Sequence, residues 1–245
     1  MIKELNFERD GLTIAGKLYL PDAHADTHPI VIMCHGFTAN MNSNAEEAKW
    51  YNDHGIAAYI FDFIGGGYKI KSSLTMREMS VLTEAKDLQT VITGIKALDC
   101  VDETKIFLQG KSQGGFVSAY IAGKQPDDVA GLILYYPAFV IQDDAKQRVG
   151  TIYETSIMGH EVGLIYNEDA LSFDIFDVIG GYTDKVLIIH GDVDDIVPFR
   201  YAQQAFDVYH DVDLICMKNA AHGFYHQQKL AAFDYALSYI KQKNS

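Results

Sequence analysis

Six short, nearly continuous apolar runs recur along the chain, at residues 30–34, 56–61, 105–108, 131–135, 186–189 and 213–216. Each is four to six residues long, too short for a buried helix and suited to a strand covered on both faces. Segments of helical period lie between them. Residues 43–54 and 113–124 read as helices. Ala85, Leu88, Val91, Ile92, Ile95 and Leu98 share one helical face, a further helix falls near 200–209, and Leu230, Phe233, Leu237 and Ile240 line a closing one. Strand–helix alternation of this kind builds a mainly parallel sheet flanked by helices, an α/β fold. At 245 residues, the whole of 1–245 is expected to form a single domain around that sheet.

Two stretches depart from the rhythm. In 5–20, Leu12, Ile14, Gly16, Leu18 and Leu20 alternate with other residues beyond the turn Asp10-Gly11. This predicts an antiparallel hairpin at one edge of the sheet. Residues 137–184 show no clear strand and are longer than a plain crossover needs, so they are expected to form a small inserted cap. The cap carries Ile152, Tyr153, Met158, Tyr166, Phe173, Phe176 and Tyr182. Any one of these can simply pack the cap onto the domain, but some are expected to line a pocket, because ligands of such sheets bind beyond the carboxyl ends of the strands.

Charge and cysteine usage narrow the classes of partner. Lys and Arg number 20 against 33 Asp and Glu, a formal net charge of −13, which opposes binding to nucleic acid or to an anionic membrane surface. Cys34, Cys100 and Cys216 have no metal-ligand spacing, and no metal or other cofactor is expected. Cys34 and Cys216 sit within apolar runs as buried free thiols, which favours a reducing compartment. The first residues lack the pattern of a secretory signal, and a cytoplasmic location is expected.

Gly110-Lys111-Ser112-Gln113-Gly114 fits G-x-S-x-G between a strand and a helix, the setting in which a serine is held at the tip of a sharp turn as a nucleophile. A serine hydroxyl needs a base. His222, in Ala221-His222-Gly223 between the last strand and the last helix, is the candidate among nine histidines. His35 and His190 each end a strand before a glycine, where they suit hydrogen bonds to neighbouring loops. His24 and His28 lie in a polar amino-terminal loop, and His54, His160, His210 and His226 have no motif around them. The carboxylate that fixes the imidazole comes from His190-Gly191-Asp192-Val193-Asp194-Asp195-Ile196-Val197-Pro198. There H-G-x-x-D-x-x-V-P selects Asp194, with Asp195 as competitor and Asp192 as a turn organiser. Backbone N–H groups of Gln113 and Phe37 are the expected oxyanion donors.

With these residues in view, the chain resembles the α/β-hydrolase superfamily along nearly its whole length, and within it the bacterial cinnamoyl (feruloyl) esterases. The resemblance rests on His35-Gly36-Phe37-Thr38-Ala39-Asn40, Phe61-Asp62-Phe63, Gly110-Lys111-Ser112-Gln113-Gly114-Gly115, Pro137-Ala138, the 190–198 motif and Ala221-His222-Gly223. It implies an α/β-hydrolase fold with an inserted cap that shapes the acyl pocket, and a metal-free serine esterase acting on small esters, hydroxycinnamoyl esters among them. Asp144, early in the cap, is a candidate to bind a phenolic hydroxyl. Two positions depart from the family pattern: Lys111 stands where His is usual, and Ile64-Gly65-Gly66-Gly67 replaces a loop that commonly holds Arg or Asn. The expected partner is a small-molecule ester, with a homodimer left open. The rival readings are a prolyl-oligopeptidase-like peptidase or acylaminoacyl hydrolase, and a small-molecule receptor on the same fold, which usually lacks a triad member.

Overall fold

The computed structural model of the protein describes residues 1–22, 27–149 and 155–244, so His24, Ile152 and Tyr153 lie outside the described residues. The chain opens with four short strands, β1 (Ile2–Glu4), β2 (Phe7–Arg9), β3 (Leu12–Ile14) and β4 (Gly16–Tyr19). The six apolar runs follow as β5 (His28–Cys34), β6 (Ala57–Phe61), β7 (Val101–Lys111), β8 (Gly131–Tyr135) and, after the cap strands β9 (Thr155–Ile157) and β10 (His160–Val162), β11 (Val186–Gly191) and β12 (Val212–Met217). They join one eight-stranded sheet in the order β1-β4-β6-β5-β7-β8-β11-β12, parallel from β6 to β12 and antiparallel at the β1–β4 and β4–β6 pairs.

The predicted hairpin exists, but as a separate two-stranded sheet of β2 and β3. The antiparallel edge of the main sheet is instead β4 and β1. The chain changes sheets at Ala15–Gly16, where Gly16 passes so close to the Tyr59 ring that a Cβ there would sit 2.1 Å from its hydroxyl. Alternation of apolar residues runs unbroken through that step, so it could not mark the change.

The helices are α1 (Ala45–Asp53), α2 (Val81–Lys96), α3 (Gln113–Lys124), α4 (Ile141–Arg148), α5 (Leu164–Ala170), α6 (Ile175–Ile179), α7 (Arg200–Val208) and α8 (His226–Asn244). Continuous apolar strands have two faces to cover. In β5, Ile30, Ile32 and Cys34 pack with α2, α3 and the cap, while Val31 and Met33 pack with α1 and α8. Helix α2 starts before its apolar stripe because Ser80 caps it. The Ser80 hydroxyl accepts from Thr83 N–H, and the Thr83 hydroxyl accepts from Ser80 N–H.

The cap differs from expectation in containing strands: β9 and β10 pair antiparallel between α4 and α5. Each has three residues, too few for a period of two to show in the sequence. Among the described residues no helix is long and apolar enough to cross a membrane. Cys34 is buried, with burial pushing its thiol up to about 12, whereas Cys216 is only partly buried on the last strand.

Parallel pairing sets the register that matters for chemistry. Cys34 pairs with Gly110, Lys111 with Tyr135, Tyr135 with Ile189, and Gly191 with Met217. The loops that follow β5, β7, β8, β11 and β12 therefore emerge along one edge.

Candidate active site

At that edge the turn from β7 into α3 places Ser112 at φ 53° and ψ −118°, a conformation in which a side chain is strained. The surrounding packing holds it there. A Cβ at Gly110 would lie 2.2 Å from the Gly114 carbonyl oxygen, and one at Gly114 would lie 2.4 Å from the His35 carbonyl oxygen and 2.5 Å from that of Cys34. The turn can close this tightly only with glycine at both positions. The Ser112 N–H donates to Tyr135 O at 3.0 Å, and its carbonyl accepts from Gly115, Phe116 and Ala138 N–H.

The loop after β12 brings His222 to the serine: Nε2 lies 3.0 Å from Ser112 Oγ, and Nδ1 lies 2.8 Å from Asp194 Oδ2. An ionised carboxylate only accepts hydrogen bonds, so Nδ1 carries the ring proton and Nε2 is free to accept from the hydroxyl. The Tyr136 ring packs edge-on against the imidazole, with centroids 4.7 Å apart. A serine hydroxyl, an imidazole and a buried carboxylate in series are arranged to move a proton off oxygen.

Asp194 is fixed from every side. Its Oδ1 accepts from Ile196 N–H at 3.0 Å and Val197 N–H at 2.8 Å, and its side chain is fully buried. His190 donates from Nε2 to the Val197 carbonyl at 2.8 Å, and the same nitrogen lies 3.2 Å from Asp194 Oδ2. Burial works to raise the Asp194 carboxyl, but hydrogen bonds from His190, His222 and Val197 N–H outweigh it and hold the group well below the usual carboxylate range. Asp195 is exposed. Asp192 accepts from Asn219 N–H at 2.7 Å and faces Lys218, joining the two loops.

The loop after β5 lies against the serine, since a Cβ at Gly36 would come within 3.2 Å of Ser112 Cβ. His35 pins this loop. Its Nε2 accepts from Phe63 N–H at 3.2 Å, so Nδ1 carries the proton and donates to Gly36 O at 2.9 Å. Burial lowers the His35 pKa and keeps the ring neutral. Phe37 follows directly. Gln113 is the first residue of α3, so its N–H has no acceptor within the helix. The Gln113 side chain is held in turn, accepting from the buried Tyr166 hydroxyl at 2.6 Å.

Among the described residues, the cap residues singled out from sequence do not line the cavity beside Ser112. Phe173 packs on Phe116 and Tyr120, Phe176 on Phe139, and the Tyr182 hydroxyl donates to Val129 O. Asp144 is half-exposed and faces Arg148 on its own helix at 3.7 Å. The cap instead meets the Phe37 loop, where the rings of Tyr166 and His160 lie 5.9 and 6.2 Å from that of Phe37. A cavity of about 270 Å³ opens beside Ser112 and is walled by Gly36, Lys111, Tyr136, Phe224, Tyr225 and Lys229, with others. Tyr136 and Glu47, the buried partner of Lys111, are the contributions that sequence reasoning missed; Lys111 itself stood out only as a departure from the family pattern. The register of β8 against β7 could have flagged Tyr136, because it is the first residue beyond a central parallel strand. Among the described residues no cluster of His, Cys, Asp and Glu is positioned to hold a metal ion.

A family model described as serine aminopeptidase, S33, matches residues 25–169, which include Ser112 and end before Asp194 and His222. Among curated proteins, the polyketide transferase grgF of Penicillium sp is 31% identical over 112 residues, covering 44% of this chain and 36% of that protein. An uncharacterized 31.7 kDa protein of Escherichia coli, from the traX-finO intergenic region, is 30% identical over 89 residues, covering 36% of this chain and 30% of that one. The chain thus spans about a third of the length of these relatives. Among solved structures, Est1E of Butyrivibrio proteoclasticus with ferulic acid bound superposes with a TM-score of 0.86 at 24% identity, covering 97% of this chain and 99% of that one. At that identity the likeness speaks for the fold.

Proposed function

Because this chain belongs to the serine aminopeptidase S33 family of α/β-hydrolases, we propose that it hydrolyses small carboxylic esters through an acyl-enzyme on Ser112. The observation that carries the reading is the unbroken series Ser112 Oγ, His222 and Asp194, at 3.0 and 2.8 Å, with the serine held in its strained turn. His222 takes the hydroxyl proton as Ser112 attacks the carbonyl carbon, then delivers it to the departing alcohol oxygen. Water next enters by the same path in reverse and releases the acid. Phe37 and Gln113 N–H are the donors we assign to the oxyanion, each supplying roughly 10²–10³ in rate.

An ester fits the surroundings of Ser112 better than an aminopeptide. An aminopeptidase must hold a free α-ammonium beside the scissile bond, and a carboxylate is the natural partner for it. The cavity beside Ser112 has Lys111 and Lys229 in its lining and, among the described residues, no carboxylate. Both lysines are paired with glutamates outside the lining, so what the lining lacks for an amino terminus is an available carboxylate. For the acyl group we propose aromatic acids of the hydroxycinnamate class. The motifs shared with cinnamoyl esterases support this, as does the likeness to a fold whose solved form holds ferulic acid.

Ranking kcat/KM for methyl ferulate, p-nitrophenyl butyrate and an aminoacyl p-nitroanilide tests the reading. We expect both esters to exceed the anilide by at least about 100-fold, roughly 2.7 kcal/mol of transition-state preference. Faster turnover of the anilide assigns the chain to peptide chemistry instead.

A further inference from the structure

The wall of the Ser112 cavity contains an ion pair that the proposed acyl transfer does not use. Lys111 is the last residue of β7, directly before the nucleophile. Its Nζ lies 3.0 Å from Glu47 Oε2 and 5.8 Å from the centroid of the Tyr135 ring. The Glu47 side chain is fully buried, and its Oε1 accepts from the Tyr135 hydroxyl at 2.7 Å. Lys111 keeps 15% of its side-chain surface exposed, and that surface faces the cavity. A buried ion pair contributes little to stability compared with well-packed apolar residues of the same volume. Fold stability alone therefore gives little reason to hold an ammonium at this point.

An ammonium has three donor hydrogens, and its contact with Glu47 is an ion pair, so donors remain for a ligand in the cavity. The Tyr136 ring forms part of the same wall, and its hydroxyl is a further donor. Lys229, at the start of α8, adds positive charge across the opening, although it also pairs with Glu46. Each lysine is balanced by a glutamate, Lys111 by Glu47 and Lys229 by Glu46, so in a chain of net charge −13 the lining offers ammonium donors and, among the described residues, no carboxylate of its own. The remaining walls are largely ring surface, from Tyr135, Phe224, Tyr225 and Phe233. Cationic donors among flat apolar walls match a carboxylate on a small hydrophobic or cyclic body.

We propose that this cavity is a subsite for a free carboxylate on the alcohol portion of the ester, bound by the Lys111 ammonium with the Tyr136 hydroxyl. The inference rests on the ester-hydrolase reading and names its substrate class. The alcohol side is assigned because the group that leaves must face His222, which protonates it, and Tyr136 and Gly223 bound both the imidazole and the cavity. In the reaction, the bond between acyl carbon and alcohol oxygen breaks as the acyl group passes to Ser112 Oγ. The alcohol oxygen takes the proton that His222 removed from the serine, and the carboxylate-bearing alcohol departs from the subsite.

The test uses matched esters of the whole protein: 3-(carboxymethyl)phenyl butyrate, its 3-(carbamoylmethyl)phenyl analogue, and phenyl hemisuccinate, whose carboxylate is on the acyl side. We expect the first to exceed the second by about tenfold or more in kcat/KM, with the difference in KM, as for one charge-assisted hydrogen bond. In the double variant K111M/E47Q, which removes both charges together, the ratio should fall to near one. The wild-type ratio should also drop severalfold between about 20 and about 500 mM NaCl, a check that needs no variant. The subsite is overturned if the wild-type ratio is near one, if the ratio is unmoved by both the substitutions and salt, or if the preference appears in the hemisuccinate instead. Absence of turnover for all three esters overturns the ester-hydrolase reading itself, whereas equal turnover of the carboxylate and its amide overturns the subsite alone.

Discussion

Two regions meet at Ser112 and are held in different ways. The loops at the strand ends are fixed by bonds in which at least one partner is a backbone group: Asp194 by two N–H donors, the 35–37 loop by the His35 ring on Phe63 N–H and Gly36 O, and the serine by glycines that pack against carbonyl oxygens. Among the described residues of the cap, several ties to the rest of the domain are made by side chains. Tyr166 reaches Gln113, Asp143 accepts from the Tyr201 hydroxyl, and Arg77 pairs with Glu161. A backbone-held site keeps sub-ångström geometry while its surface residues vary. A side-chain-held cap can be re-formed around a different substrate without disturbing the proton path.

If that contrast is right, one substitution on each side should have very different consequences. Asp194→Asn leaves the imidazole without the acceptor that sets its tautomer, and we expect kcat to fall on the order of 10³–10⁴, read by steady-state assay of p-nitrophenyl butyrate. The same substitution should reveal a pH signature in stability. The Asp194 carboxyl is held below its unfolded value, so its contribution is complete above the unfolded pKa of about 4 and is lost as pH falls through the lower folded value. Denaturation curves of wild type and variant should accordingly differ most from neutral pH to about 5 and converge in stronger acid. A difference that grows toward acid contradicts the assignment.

Tyr166→Phe probes the cap side. It removes the hydroxyl that Gln113 accepts from at 2.6 Å while keeping the ring against Phe37. We expect a loss of about 1 kcal/mol in urea denaturation and a change in kcat/KM within about tenfold. A loss as large as that of Asp194→Asn would erase the distinction between the two regions and make the cap part of the catalytic frame.

The two regions also differ in how far the sequence disclosed them. Backbone-held positions leave marks: the glycines around Ser112, the His-Gly steps that end β5 and β11, and the valine three residues beyond Asp194 are each demanded by local geometry. The same holds for five of the six strands, whose apolar runs are set by having two faces to cover, while β12 at the sheet edge is only partly buried. The cap left no comparable marks. Its strands are three residues long, and its aromatic content is the same whether rings face a ligand or, as with Phe173 and Phe176, the core. The pairing of Lys111 with Glu47 was equally hidden. It joins residues 64 positions apart on a strand and a helix, and no local pattern marks a glutamate in α1 as buried. The capping box at Ser80 escaped for a simpler reason, since threonine takes the place of the usual Glu or Gln three residues on.

The central claim is that the hydroxyl of Ser112 is made nucleophilic by His222, and covalent labelling addresses it most directly. Wild type and His222→Ala are treated with a fluorophosphonate, and the modified peptide is located by mass spectrometry. We expect a single adduct on the peptide containing Ser112 in wild type, slowed by at least about 1,000-fold in the variant. An unlabelled wild-type protein, an adduct on another residue, or equal labelling of the two proteins contradicts it.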